Sequence, residues 1–152
     1  MIRKRTVEII SALLILLFVY AAVSKLLDYE RFKVQLGKSP LLNSFAAFAA
    51  VTVPLGELLI SAFLGFNKTR TVGLYLSLFL LVLFTSYLVA ILNFSYYIPC
   101  SCGGILQGLS WKAHIIFNSG FIAITIIGII LQNKSFNSKI DHRMNHSIIS
   151  SS

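Results

Sequence analysis

Thiol chemistry is the first thing this chain offers, because its two cysteines stand one residue apart in Pro99-Cys100-Ser101-Cys102-Gly103-Gly104. Pro99 fixes its φ angle, whereas Gly103 and Gly104 leave theirs free, a combination that sets up a turn. Extended residues i and i+2 hold their Cα atoms near the ~7 Å limit for bridging, so a Cys100–Cys102 disulfide needs a tight turn and stores strain. Strained disulfides are more oxidising and exchange more readily. If a helix follows, with Lys112 near its start, its dipole and that cation favour thiolate over thiol. Redox exchange, inert packing or a static bridge, and half of a metal site are the readings this spacing allows. Zinc usually takes about four ligands, and His114 is the one histidine close in sequence.

Glu57 is the second signal, set within the apolar run Val53-Pro54-Leu55-Gly56-Glu57-Leu58. A charge at mid-membrane costs about 2.5–3.5 kcal/mol on insertion scales, so such an acid is neutralised, paired or turned to a polar interior. Pro54 has no N–H and crowds the carbonyl of Ala50, which predicts a bend one turn before the acid. Counted from Leu41, Glu57 lies about 24 Å along its helix, central or inward of centre and too deep for an outer cysteine loop. Interhelical hydrogen bonding is its expected role, with a proton relay as the alternative. Lys25, at the end of an earlier apolar run, is expected to snorkel to the interface. Leu26, Tyr29, Phe32, Val34 and Leu36 read as a segment on the membrane surface, broken by Gly37 to Pro40, that would anchor there, cap the cysteines or dock a partner. His114 and Asn118 are an i, i+4 pair on one helix face, expected as polar contacts within a bundle, with quinone or thiol chemistry as the alternative. Tyr96, Tyr97 and Trp111 read as interface aromatics. Neither a metal nor a cofactor is required by these residues, and His142 and His146, also i, i+4, lie in a polar tail that makes a poor metal site.

The elements that must carry these groups are membrane helices. Of 152 residues, 57% are hydrophobic and 12% charged, with mean hydropathy +0.83, whereas soluble domains carry about 25% charged residues. A soluble fold is thereby excluded, and an all-α membrane protein is expected. Four apolar runs, at about 6–27, 41–66, 71–92 and 113–132, are each long enough for a bilayer core of ~30 Å. Short connections favour an antiparallel bundle. Residues 1–132 thus form a four-helix transmembrane domain, and residues 133–152 a polar cytoplasmic tail expected to be disordered. Arg3-Lys4-Arg5 and Ala21-Ala22-Val23-Ser24 also fit a cleaved signal, but the apolar run outlasts the usual ~7–15-residue core of one.

The net charge of +8 lies in short basic clusters between apolar runs, a pattern of membrane topology rather than of nucleic-acid binding. Arg3, Lys4, Arg5, Lys68, Arg70, Lys134, Lys139 and Arg143 fall on one side; Arg31, Lys33, Lys38 and Lys112 fall on the other. The positive-inside rule then puts both termini in the cytoplasm and the cysteines outside, which in a bacterial inner membrane means an oxidising periplasm.

Taken together, these residues resemble the MauE family of methylamine utilisation proteins, grouped with the DoxX-like four-span membrane proteins. The resemblance is carried by Ala21-Ala22-Val23-Ser24-Lys25-Leu26-Leu27-Asp28, by Val53-Pro54-Leu55-Gly56-Glu57-Leu58 and by Pro99-Cys100-Ser101-Cys102-Gly103-Gly104. Phe117-Asn118 stands where the family has an Arg-Asn pair, and Gly103-Gly104 where a Phe-Gly pair often follows the second cysteine. The resemblance implies an inner-membrane factor for maturation of an exported, disulfide-rich client, the small subunit of methylamine dehydrogenase, working beside a periplasmic thioredoxin-like partner. By function the chain is also similar to membrane thiol oxidoreductases of the DsbB and VKOR kind, though it has one cysteine pair rather than two and no C-x-x-C. A non-enzymatic scaffold or small transporter component centred on Glu57 is the alternative.

The orientation is tested by a membrane-impermeant alkylating reagent applied to intact cells after mild reduction. Cys100 and Cys102 are expected to gain the mass of the label; labelling only after lysis would reverse the topology.

Overall fold

The computed structural model describes residues 2–37, 43–94 and 111–149. These residues form α1 (Ile2–Leu27), α2 (Tyr29–Gly37), a 3-10 turn at Asn43–Phe45, α3 (Ala46–Gly65), α4 (Arg70–Phe94) and α5 (Trp111–Ile149), with no strand among them. Four stretches are long and apolar enough to cross a membrane: Arg3–Leu27, Ala46–Gly65, Arg70–Ala90 and Ala113–Lys134. Only 28–33% of each apolar window is buried inside the protein. The outward faces, with Leu16, Leu59, Phe79 and Ile116 among them, are exposed, and only a bilayer gives so much apolar surface a favourable solvent. This is an all-α membrane protein of four spans.

α1 runs unbroken because nothing between Ile2 and Leu27 is Gly or Pro. Val7, Ile10, Leu14, Phe18 and Ala22 recur at steps of three and four and are buried, so one stripe of α1 faces the bundle. The matching stripe of α3 is Ala46, Ala50, Pro54, Glu57, Ser61 and Leu64. Small residues on that stripe let the backbones approach, which is how helices associate where no hydrophobic drive operates. α4 adds Leu74, Ser77, Leu81 and Leu88, and α5 adds Thr125 and Ile129. Buried hydroxyls are satisfied within their own helices, Ser77 Oγ donating to the Gly73 carbonyl at 2.7 Å and Thr125 Oγ1 to that of Phe121 at 2.7 Å. α1 packs on α3 and α5, and α4 on α3 and α5, a square in which chain neighbours alternate in direction.

One end of the square is closed by polar contacts. Thr69 Oγ1 donates to the Phe63 carbonyl at 2.9 Å and Arg70 Nε to that of Leu64 at 3.5 Å, capping α3 as the chain turns into α4. Gln132 Nε2 reaches Thr71 Oγ1 at 3.4 Å and Asn133 Nδ2 reaches Tyr75 Oη at 3.2 Å, tying α5 to the start of α4. Arg70 lies 3.9 Å from Glu8 of α1.

Two boundaries and one packing face differ from the sequence expectation. The second span starts at Ala46 rather than Leu41, because Asn43 and Ser44 lie in the 3-10 turn, a setting that suits side chains able to bond their own backbone. α2 turns part of its apolar set to the bundle rather than to lipid: Phe32 and Leu36 are buried against Ala46 and Ala50 of α3, while Val34 and, before the helix, Leu26 stay widely exposed. α5 continues to Ile149 where an irregular tail was expected, since no Gly or Pro follows Gly128 to stop it. At ~1.5 Å per residue it is about 58 Å long, so its last turns run past the apolar span.

Gly73 lets α4 approach the backbone of α3 closely. A Cβ there would stand 2.9 Å from the Leu64 backbone nitrogen, whereas one at Gly56 would meet nothing within 4 Å. Gly73→Ala is therefore expected to destabilise the folded protein by about 1–3 kcal/mol. Gly56→Ala should be neutral or stabilising by up to ~1 kcal/mol. Thermal unfolding of both variants in detergent checks the contrast, and equal midpoints would refute the packing.

Candidate functional site

Lys25 follows Ala22 by three residues and so continues the buried stripe of α1, while Glu57 is the buried member midway along α3. The two stripes face each other, and Lys25 Nζ donates to Glu57 Oε1 at 2.6 Å. Both are almost sealed, Lys25 at 4% exposure and Glu57 at 2%. Lys25 Nζ also lies 5.9 Å from the centre of the Phe32 ring on α2 and 5.4 Å from that of Phe84 on α4, distances at which the ring faces attract a cation. Its other contact is long, 3.5 Å to the Ala21 carbonyl one turn back.

The expected snorkelling of Lys25 is thus overturned. Glu57 offers an anionic partner on the inward side, and a charge-assisted hydrogen bond there replaces water more fully than an apolar interface does. The helical step of α1 was the signal: Val7, Leu14, Phe18, Ala22 and Lys25 fall on one line, and that line is buried. Glu57 makes an interhelical hydrogen bond as expected, though an ionic one. Its depth is smaller than expected, about 16 Å below Ala46 along α3, because the helix starts later.

A cavity of about 270 Å³ opens beside the pair. Lys25 and Glu57 border it, with His114 and Asn118 from α5 and Tyr87 from α4, and the remaining lining is apolar, including Phe18, Phe32, Phe84 and Phe117. His114 and Asn118 are both buried and share this wall, as their spacing predicted. Sequence reasoning passed over the aromatic half of the site, since Phe84 and Phe117 look like any other apolar residue of a span until packing puts both on the cavity wall. The helix assignment of α3 is unbroken across Pro54, which is buried one turn before Glu57. Ser61 Oγ donates to the Glu57 carbonyl at 2.9 Å. Oε2 of Glu57 accepts no hydrogen bond among the described residues. No group of three or more His, Cys, Asp or Glu among those residues could hold a metal.

Pro99, Cys100, Cys102, Gly103 and Gly104 lie outside the described residues. The helices flanking them are described. α4 ends at Phe94 and α5 begins at Trp111, at the end of the bundle opposite the contacts of Thr71, Tyr75, Gln132 and Asn133. His114, one turn into α5, borders the cavity with Lys25 and Glu57.

Replacing the pair separates its two contributions. Lys25→Met leaves a buried, unpaired Glu57 and is expected to cost about 3–5 kcal/mol, whereas Lys25→Met/Glu57→Leu should lie near wild type. Unfolding midpoints of both single variants and the double variant measure the coupling, and additive single effects would mean that the two groups do not interact.

Comparison with known proteins places residues 3–131 in a match to the family described as Methylamine utilisation protein MauE. No curated protein and no solved structure matches the chain.

Proposed function

Because the chain belongs to the MauE family, we propose that it serves methylamine utilisation as an inner-membrane maturation factor with both termini in the cytoplasm. Its Cys100/Cys102 pair exchanges thiol and disulfide with a periplasmic thioredoxin-like partner on behalf of an exported, disulfide-containing client. The observation that carries this reading is the division of the bundle into two ends. Arg3, Lys4 and Arg5 open α1, Lys68 and Arg70 flank the α3–α4 turn, and Lys134 closes the last apolar stretch, so the basic clusters gather at one end. The chain leaves α4 for its cysteines at the other end, which the positive-inside rule assigns to the periplasm.

The chemistry needs no group beyond the two protein substrates. A client thiolate attacks one sulfur of the Cys100–Cys102 disulfide; the S–S bond breaks and a mixed disulfide forms. A second client thiolate then displaces the cysteine, leaving the client as a disulfide and the pair as a dithiol. The pair is reoxidised by the same two displacements on the partner's disulfide, so two electrons and two protons pass from client dithiol to partner disulfide. A Pro before the pair and two Gly after it suit this exchange, since a turn that strains the small ring makes it a better electron acceptor.

The buried Lys25–Glu57 pair and its cavity favour a second reading, a membrane scaffold or small transporter component in which the cysteines only staple a segment. Variants separate the two. Cys100→Ser and Cys102→Ser are each expected to leave the exported client trapped as free thiols, read by alkylation and mass shift, while Glu57→Gln preserves its oxidation. Unchanged client thiols in both serine variants would refute exchange, and loss of function confined to Glu57→Gln would select the scaffold.

A further inference from the structure

Two polar side chains on the cavity wall lack partners among the described residues. His114 is 6% and Asn118 7% exposed, and both line the cavity from one face of α5. Neither side chain makes a hydrogen bond to a described residue, and their polar atoms are not among those sealed in the interior. They therefore open onto the cavity that they line. Buried polar groups are normally satisfied, and one left unmade costs the full loss of its water. The wall is also biased toward donors. Asn118 carries an NH2 group, an imidazole in either protonation state carries at least one N–H, and Lys25 can only donate. The carboxylate is out of a guest's reach, since Oε1 of Glu57 is taken by Lys25 at 2.6 Å and Oε2 is sealed. What this wall lacks is an acceptor.

Charge and size narrow the guest further. Lys25 and Glu57 neutralise each other, so a charged guest would bring an unpaired charge into the span and a neutral one would not. The volume of about 270 Å³ falls just below the ~300–1,000 Å³ of small-molecule pockets, room for a ring system with short substituents. Phe18, Phe32, Phe84 and Phe117 line the apolar part, and aromatic rings pack well on one another edge to face or offset. Leu83 lines the cavity and is itself 53% exposed, which puts the cavity one side chain from the surrounding lipid. We propose that this cavity binds a neutral, membrane-soluble aromatic molecule bearing a carbonyl group, whose oxygen accepts hydrogen bonds from the His114 and Asn118 face and whose ring packs among the phenylalanines. The inference does not depend on thiol exchange, because none of its residues is a cysteine and no electron is transferred in binding.

The test compares 1-tetralone with tetralin, which has the same fused rings without the carbonyl. Each is titrated against the purified full-length protein at matched mole fraction in the detergent phase, reading the thermal unfolding midpoint. The ketone is expected to raise the midpoint saturably, with an apparent affinity about tenfold above that of tetralin, since a site with unpaired donors discriminates against a guest that cannot accept. The infrared carbonyl band of bound 1-tetralone should lie below its position in detergent alone, a shift that apolar filling would not produce. Val53→Phe, which fills the cavity from the α3 wall, should abolish the response to both compounds. His114→Phe/Asn118→Leu, which exchanges two unpaired polar groups for apolar ones, should keep its fold and respond equally to both. Equal responses of the wild-type protein or an unshifted band would mean apolar filling alone, and no response to either compound would mean a cavity closed to guests. Each of these results overturns the proposal, as would an unchanged response in Val53→Phe or a preserved ketone preference in the double variant. Cys100→Ser/Cys102→Ser protein is expected to keep the preference, so a failure of thiol exchange and a failure of ligand binding are read separately.

Discussion

A buried ion pair between two membrane helices is the constraint around which this bundle is arranged. The stripes of α1 and α3 are built of Val, Leu, Phe and Ala, and apolar stripes can slide past each other by a turn at modest cost. Lys25 and Glu57 remove that freedom, because each has one partner of opposite charge within 2.6 Å and any other register would strand two charges in an apolar interior. The pair also draws in α2 through Phe32 and α4 through Phe84. Four elements are thereby referred to a single ammonium group, and apolar packing of Phe32 and Leu36 on Ala46 and Ala50 holds α2 against α3.

The two ends of the bundle are built differently. At the end holding the α3–α4 turn, carbonyls are capped by Thr69 and Arg70, α5 is hydrogen-bonded to α4, and Gly73 brings α4 against the backbone of α3. Gly128 makes room on α5 for the Ile10 side chain of α1, where a Cβ would stand 3.2 Å from Ile10 Cγ2. Close backbone approach and satisfied polar groups are what hold membrane helices together when lipid is as apolar as the core. Toward the other end lies the cavity, bordered by the Lys25–Glu57 ion pair and by aromatic rings, with Phe32 and Leu36 of α2 packed on Ala46 and Ala50 of α3. Close helix approach is thus concentrated at the end holding the α3–α4 turn, and chemical variety around the cavity. α4 ends and α5 begins at the cavity end, with His114 reaching the cavity from the first turns of α5.

The amino-acid sequence by itself determined the four spans, their antiparallel order and the family, because hydrophobic run length, basic clusters and the local motifs around Ser24-Lys25, Pro54-Gly56-Glu57 and Pro99-Cys102 are all short-range properties of the chain. It also singled out Glu57, since an acid in an apolar run must find a partner. Who that partner was lay beyond it: Lys25 is 32 residues away, and a lysine near a helix end has a satisfactory alternative in snorkelling that only the facing helix can overrule. The start of α3, the docking of Phe32 and Leu36 and the turning of Phe84 and Phe117 toward one cavity were likewise decided by packing. Phenylalanine and leucine have no local preference between lipid and neighbouring helix, because both are apolar solvents for them; only the tertiary arrangement, pinned by the ion pair, gives one face of each helix a reason to point inward.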